Sequence, residues 1–473
     1  MRKVLTIISV ILLIVLFFSC GGTNYREIMK PVEALFYQGK YLDAARKLLG
    51  RVNKKDRNQL LFMMECGYML HAGGDWDKSN KVFLKAGNIA RVKPISISKQ
   101  AAAFITNQRR TNYRGEDFEK VLLHLFAGQN FLFKSKYDSA AVEFKKVNNQ
   151  LKKITSEGKP AYKQNIMAKY MTAIAYETLG DNEEGKSAKK DAWEYSYIEL
   201  KQIEKLINRR ELGRIRNMVY FDLRRLAKKL GYNDDLRKWT FKNRKPFSLE
   251  DGEFVFIYEA GKTAIKKSRG KLLRTMGVNV RGSIQAALRG GVTMGMVMAA
   301  LRYAENPIPR FERRSNKAKY VRILIDGREY RTKMLQNIEN TAIRNLEDKF
   351  NRLQTKVISS LVFKIVAAKV AEVAARETAK RAGAGIAAGL IGSVVGAGTA
   401  AALISSVKPD LRCWSTLPAN LQLARIPLKP GNYTAQIQYI SIDGEELSAR
   451  SVPFKIEKSG KKKRFFYQVR TLQ

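Results

Sequence analysis

Cys20 is the first residue whose type and setting point to chemistry. Arg2 and Lys3 precede an uncharged, largely apolar run from Val4 to Phe18, and Ser19 places a small residue before the cysteine. That order describes a secretory leader with a lipobox-like end, at which the thiol takes a diacylglyceryl group and the chain is cut before it. The run falls short of the ~20 apolar residues that cross a bilayer. Residues 1–19 are therefore expected to be a lipoprotein signal peptide and 20–25 a lipidated tether. Gly21, rather than an aspartate, follows Cys20, which favours the outer membrane over the inner.

Other groups able to do chemistry are sparse. Cys66 and Cys413 are the remaining cysteines, and His71 and His124 the only histidines. Their separations fit neither a metal-ligand pattern nor a cysteine–histidine nucleophile pair, so no metal and no cofactor are expected. Asp410, Arg412 and Trp414 place an acid, a base and an aromatic at alternate positions, a set read as a structural brace. No nucleophile elbow or phosphate-binding loop accompanies them. The chain is expected to bind rather than catalyse.

A formal net charge of +44 narrows what it binds. Inside a cell that excess would suggest nucleic acid. For an exported chain the anionic partners are lipid headgroups, envelope polymers and acidic proteins, and nucleic acid is excluded. Each basic side chain close to an anionic surface contributes on the order of 1 kcal/mol. Lys461, Lys462, Lys463 and Arg464, next to Phe465, Phe466 and Tyr467, form the candidate basic patch.

The elements that position these residues begin with a recurrent pattern of small and aromatic residues. Gly67, Leu70, Gly74, Trp76, Ser79, Phe83 and Ala86 fall near the spacings of a tetratricopeptide (TPR) repeat, and Gly128, Phe131, Tyr137, Ala140, Phe144 and Val147 repeat them. Further copies run through Leu35, Gly39, Tyr41, Ala44 and Leu48, and through Ala173, Tyr176, Gly180, Asn182 and Gly185. Small residues let paired helices approach, an aromatic fills the gap, and Gly39, Gly74 and Gly180 are expected at turns that need permissive dihedrals. A TPR-like array over 26–230 would leave a groove suited to a peptide or extended segment. His71, His124, Phe131 and Tyr176 are its candidate partner-binding residues.

Over 231–416 the pattern becomes mixed α+β. Glu253–Glu259 reads as a strand, and Lys319–Ile325 as another that turns at Asp326-Gly327 into a hairpin. Residues 382–407 carry no charge and six glycines. Packing as a buried or re-entrant helix is the leading reading of that segment, with membrane insertion and a linker as the others. From 417 to 473 the sequence reads as a small antiparallel β module of strands near 420–426, 432–442, 446–456 and 464–471. The fold class is thus mainly α with β: an N-terminal TPR-like array, a mixed middle region and a C-terminal β module.

Four stretches together resemble a family of TPR-containing bacterial lipoproteins: Gly115–Leu132, Gly252–Lys267, Ile338–Phe350 and Asp410–Tyr433. In the last, Asp410, Arg412, Trp414, Leu417-Pro418, Ala424-Arg425 and Pro430-Gly431 keep the family's spacing, whereas Ala264 departs from its usual proline. The resemblance implies an envelope lipoprotein with no assigned reaction. The expected function is a membrane-anchored scaffold that holds an envelope protein in its groove. The alternative is a non-catalytic binder of peptidoglycan or lipopolysaccharide through the basic surface and the β module.

Overall fold

The computed structural model describes residues 25–90, 112–156, 165–207, 210–271, 304–405, 408–460 and 463–472, with single positions between 272 and 303. The leader, Cys20, Lys461 and Lys462 lie outside them.

The first half is a stack of antiparallel helix pairs: α1 (Tyr25–Tyr37) with α2 (Tyr41–Val52), α3 (Gln59–Ala72) with α4 (Trp76–Ala90), α5 (Asp117–Phe133) with α6 (Tyr137–Ser156), and α7 (Ile166–Asn182) with α8 (Lys186–Ile207). Helices α9 (Arg216–Leu230) and α10 (Asn233–Lys242) close its end. One glycine sets each of three pairings. A Cβ on Gly67 would meet the Phe83 ring at 2.6 Å, one on Gly128 the Phe144 ring at 2.4 Å, and one on Gly180 the Trp193 ring at 2.6 Å. Real side chains do not pack that closely, so the aromatic of the second helix occupies the space a side chain would take on the first.

Gly39 and Gly74 hold the left-handed turns between helices, with φ of 79° and 81°. Gly180 does not. It lies inside α7, which corrects its expected place at a turn: its job is the close approach to Trp193, the role Gly67 and Gly128 have in the earlier pairs.

The second half is a β sandwich. One sheet has the order β10-β1-β7-β6 and the other β5-β4-β8-β9. The strands are β1 (Gly252–Ala260), β4 (Ala318–Ile325), β5 (Arg328–Arg331), β6 (Lys333–Asn337), β7 (Asn420–Leu428), β8 (Gly431–Ser441), β9 (Glu446–Ile456) and β10 (Arg464–Arg470), with β2 (Ile265–Lys267) and β3 (Arg310–Glu312) in a separate ribbon. This corrects the expected self-contained module at 417–473. Strand β1 lies between β10, which it pairs in parallel, and β7, while β8 pairs with β4. The sandwich is therefore interleaved from 252–337 and 420–470, and its halves cannot be parted without breaking both sheets.

Between β6 and β7 a helical hairpin, α11 (Ile338–Arg381) and α12 (Ala387–Ser405), leaves the sandwich. The start of α11 is anchored in the protein by Leu346, Val357, Leu361 and Ile365. Further out, α12 packs on α11 where Gly392 and Gly396 meet Arg376 and Glu372. Its other side is open, with Leu390 70% and Val394 71% exposed.

Strand β1 shows how the two halves join, because all nine of its residues are buried. Successive strand residues point to opposite faces. Phe254, Phe256 and Tyr258 enter the core between the sheets, whereas Val255 and Ile257 join the helical core. The sheet is covered by its partner sheet on one side and by the array on the other. Among the described residues, no helix is long and apolar enough to cross a membrane.

Candidate functional site: a filled groove and a basic cleft

The groove expected of the array is present, and the chain fills it itself. Residues 412–419, which run from the hairpin into β7, are buried throughout against α1, α3 and α5. Glu65 of α3 accepts hydrogen bonds from the Ser415 amide at 2.7 Å, the Ser415 hydroxyl at 2.8 Å, the Tyr25 hydroxyl at 3.0 Å and the Thr416 hydroxyl. Glu119 of α5 accepts the Trp414 amide at 2.8 Å. The Trp414 ring, 1% exposed, sits among Tyr68, Phe83 and Phe126. Carboxylates that read backbone N–H groups, together with an aromatic anchor in a pocket, are the means by which a groove holds an extended peptide. Here the peptide belongs to the same chain.

Arg412 pairs with Asp410 at 2.7 Å and donates to Asn58 at 2.8 Å. Cys66 and Cys413 are buried free thiols, each pushed up to about 12 by burial. Reactive thiolate chemistry is correspondingly suppressed at both.

Further along the groove the contacts become ionic. Arg425 of β7 reaches Glu177 at 2.9 Å, Asp222 at 2.9 Å and Glu253 at 2.7 Å. Arg464 of β10 reaches Glu177 at 3.0 Å, Asp181 at 2.7 Å and Glu253 at 3.0 Å. Arg225 and Lys229 of α9 complete the set through Glu177, Asp222 and Asp181. Four cations and four carboxylates balance, and all are buried or nearly so. Burial alone would raise the Glu253 carboxyl, but Arg425, Arg225 and Arg464 outweigh it and hold the group at about 2. Since each charge is spent on a partner, the cluster fastens array to sheet.

These contacts correct the candidate groove residues. His71 faces the chain's own Glu259 at 2.8 Å and Asn130 at 2.6 Å, and is fully buried. His124 is buried against Glu143 at 2.7 Å, within the α5–α6 pair. Tyr176 turns away from the groove towards the second helices, where its ring meets Tyr195 and Lys145. Phe131 packs against the helical core. The basic patch is corrected too. Arg464 belongs to the ionic cluster, and Lys463 donates to the Leu249 carbonyl at 3.0 Å.

Sequence reasoning missed Glu65, Glu119, Glu177, Glu253, Glu259 and Arg425. Part of the signal was available: Glu65 and Glu177 are lone acids in the apolar stretches LLFMMECGYML and AIAYETL, and Glu253 and Glu259 bracket an otherwise uncharged run, whereas Glu119 stands among Glu116, Asp117 and Lys120. An ionisable group at such a position requires a buried partner.

The open concavity lies outside the groove. A cleft of about 1040 Å³ is bounded by the 3-10 turn Arg210–Ile215 with α9, by the loop after α10, by the β4–β5 hairpin and by the β7–β8 turn. Arg214, Lys245, Arg328, Arg331, Lys333 and Lys429 line it, with Phe221, Phe247, Tyr330 and Tyr433 between them. Of its acids, Glu329 pairs with Arg331, Asp251 accepts the Ser248 amide at 2.9 Å and Asp222 belongs to the ionic cluster, while Asp326 is exposed at the hairpin turn. A second hollow of about 570 Å³ shares Arg214, Arg331 and Lys333 and adds Arg314, Lys319 and Tyr320.

Paired helices locked by glycine–aromatic contacts make this a TPR-like repeat protein, mostly helical and joined to sheets. The chain is similar to two crystal structures of TPR-like repeats from a Podosopora anserina protein described as a kinesin light chain. Identity is 10% in both cases, covering 46% of this chain and 91% or 92% of the other, with TM-scores of 0.31 and 0.29. A tetratricopeptide repeat protein from Parabacteroides merdae is 12% identical over 47% of this chain and 80% of its own, with a TM-score of 0.21. No family model matches the chain, and no curated protein matches it.

Proposed function

We propose that this chain is a non-catalytic, lipid-anchored scaffold of the bacterial cell envelope that binds an anionic glycan polymer at its basic cleft. The array is an interaction scaffold whose own strap and sheet occupy its groove, so an outside ligand must meet another surface. One observation carries the reading: six basic side chains from four separate stretches converge on one hollow that also presents aromatic rings. Guanidinium and ammonium groups suit carboxylate or phosphate, and aromatic faces suit the apolar side of a sugar ring. Peptidoglycan and lipopolysaccharide both offer that combination.

The test compares the mature protein with a variant carrying Lys245→Glu, Arg328→Glu and Lys333→Glu, all at exposed positions. Co-sedimentation with purified sacculi and binding to lipopolysaccharide are measured over a salt series. Salt-sensitive binding by the wild type, lost in the variant at unchanged circular dichroism, supports the cleft. Equal retention of both proteins, or of neither, removes it, and the polymer that binds tells the two glycans apart.

A further inference from the structure

The hairpin of α11 and α12 carries the most exposed apolar surface among the described residues, and the cleft does not account for it. Ile386 is 98% exposed, Leu390 70%, Ile391 43% and Val394 71%. These lie on or beside a helix with no charged residue from Ala387 to Ser405. The contact of α12 with α11 runs through Gly392 and Gly396. At 100° per residue, Leu390 and Val394 fall on the side opposite Gly392, so one outer stripe of Ile386, Leu390 and Val394 faces away from the protein.

Charge says what covers that stripe. From Lys364 to Ser405 the chain holds Lys364, Lys369, Arg376, Lys380 and Arg381 against only Glu372 and Glu377. Each of these acids pairs with a lysine one turn away, Glu372 with Lys369 at 2.8 Å and Glu377 with Lys380 at 3.0 Å. The basic residues gather towards the tip, where Lys380 and Arg381 are exposed a few residues before Ile386, and Arg376 is exposed at the rim of the α11–α12 contact. An apolar stripe on a hairpin whose tip carries exposed cations matches the boundary between acyl chains and anionic headgroups. A second protein would have to cover the cations as well.

We propose that the outer face of α12 seats on the surface of an anionic phospholipid bilayer. Ile386, Leu390 and Val394 dip to the headgroup–acyl boundary, and Arg381, at the tip of the hairpin, reaches the phosphates. The contact lies in the interface plane and does not cross the membrane. It deepens the lipid-anchored reading by adding a second attachment, one that would set which face of the hairpin meets a bilayer that the two acyl chains on Cys20 already hold.

The experiment uses the mature protein with a nitroxide on Leu390→Cys, and a control label on Glu445→Cys in an exposed turn. Cys66 and Cys413 are buried, which keeps them from the label. Mass spectrometry reads the state of Cys20. Vesicles of phosphatidylethanolamine with phosphatidylglycerol are compared with vesicles of phosphatidylcholine alone.

On the anionic vesicles the Leu390 label is expected to change from access by an aqueous nickel chelate to access by oxygen, while the Glu445 label stays aqueous. A lipidated protein that floats with the vesicles but keeps an aqueous Leu390 label overturns the proposal and leaves the anchor intact. A chain without lipid that still floats through the Leu390 contact keeps the proposal and removes the anchor. A chain that does not float at all removes both. A short distance between Leu390 labels of two molecules in solution assigns the stripe to a second copy and also overturns the proposal.

Discussion

The two ends of the filled groove hold the same sheet by different chemistry. At the α1–α5 end, single carboxylates receive backbone amides and hydroxyls, as when Glu65 takes Ser415 and Thr416. At the α7–α9 end, Arg425 and Arg464 enter a closed set of carboxylates. Burial acts on both ends, and it is outweighed at Glu253 but not at Glu65. Desolvation pushes Glu65 up to about 7, since its hydroxyl and amide donors offset only part of the penalty. Glu253, equally buried, is held at about 2 by three guanidinium groups. At Glu65 the neutral donors leave the carboxyl raised, whereas at Glu253 the cations hold it charged.

Removing a cation from the ionic end should have the largest effect. Arg425→Ala leaves Glu177, Asp222 and Glu253 sharing fewer partners while they stay buried. Urea denaturation is expected to show a loss of roughly 3–5 kcal/mol. A loss below that of an ordinary surface substitution would show that the cluster does not fasten the sheet.

At the other end the anchor is apolar. Trp414→Ala should cost up to the same range, about 3–5 kcal/mol, through the cavity left among Tyr68, Phe83 and Phe126. Together the two variants test whether both ends carry comparable weight. If the tryptophan variant alone unfolds the protein, the ionic end is subsidiary.

Gly128→Ala is a smaller perturbation confined to the array. Its new Cβ would meet Phe144 at 2.4 Å, so α5 must shift and carry Glu119 with it. Overpacking of this kind costs typically ~1–3 kcal/mol. Fluorescence-detected unfolding should show the loss, and Arg425→Ala should add to it without coupling, because the two sites share no partner.

The last effect separates the two ends by pH. Glu65 has a raised folded value, so its contribution is full below its unfolded value and is lost as pH rises through about 7. Glu253 has a lowered one, so its contribution is present above its unfolded value and is lost as pH falls through about 2. Wild-type stability should therefore decline between pH 5 and 7 by at most about 1.4 kcal/mol per unit from Glu65, and Glu65→Gln should flatten that window. The acid limb should remain in the variant.

The helix pairs were legible because their cause is local: Gly67 and Phe83 recur as Gly128 and Phe144 at the same separation, and the packing follows from that spacing. The third copy misled because Gly180 meets its tryptophan at a shorter separation and so resembled a turn glycine. Strands were legible from alternation and from turns such as Asp326-Gly327. Their partners were not, since β1 enters the sheet between β10 and β7, which lie far away in sequence, and no local pattern encodes that insertion. His71 is the sharpest case at the site. Its place on a groove-lining helix was readable, while its partner Glu259 depended on a topology that only tertiary pairing decides.

Residues 412–419 of the same chain close the array's groove. Hydrogen exchange on peptides covering 412–418 in the intact protein is the test. The Trp414 and Ser415 amides are expected to exchange as slowly as those of α3 and α5, and to speed up in the Glu65→Gln and Trp414→Ala variants. Fast exchange of these amides in the wild-type protein, with α3 and α5 fully protected, would contradict the claim and return the groove to an outside partner.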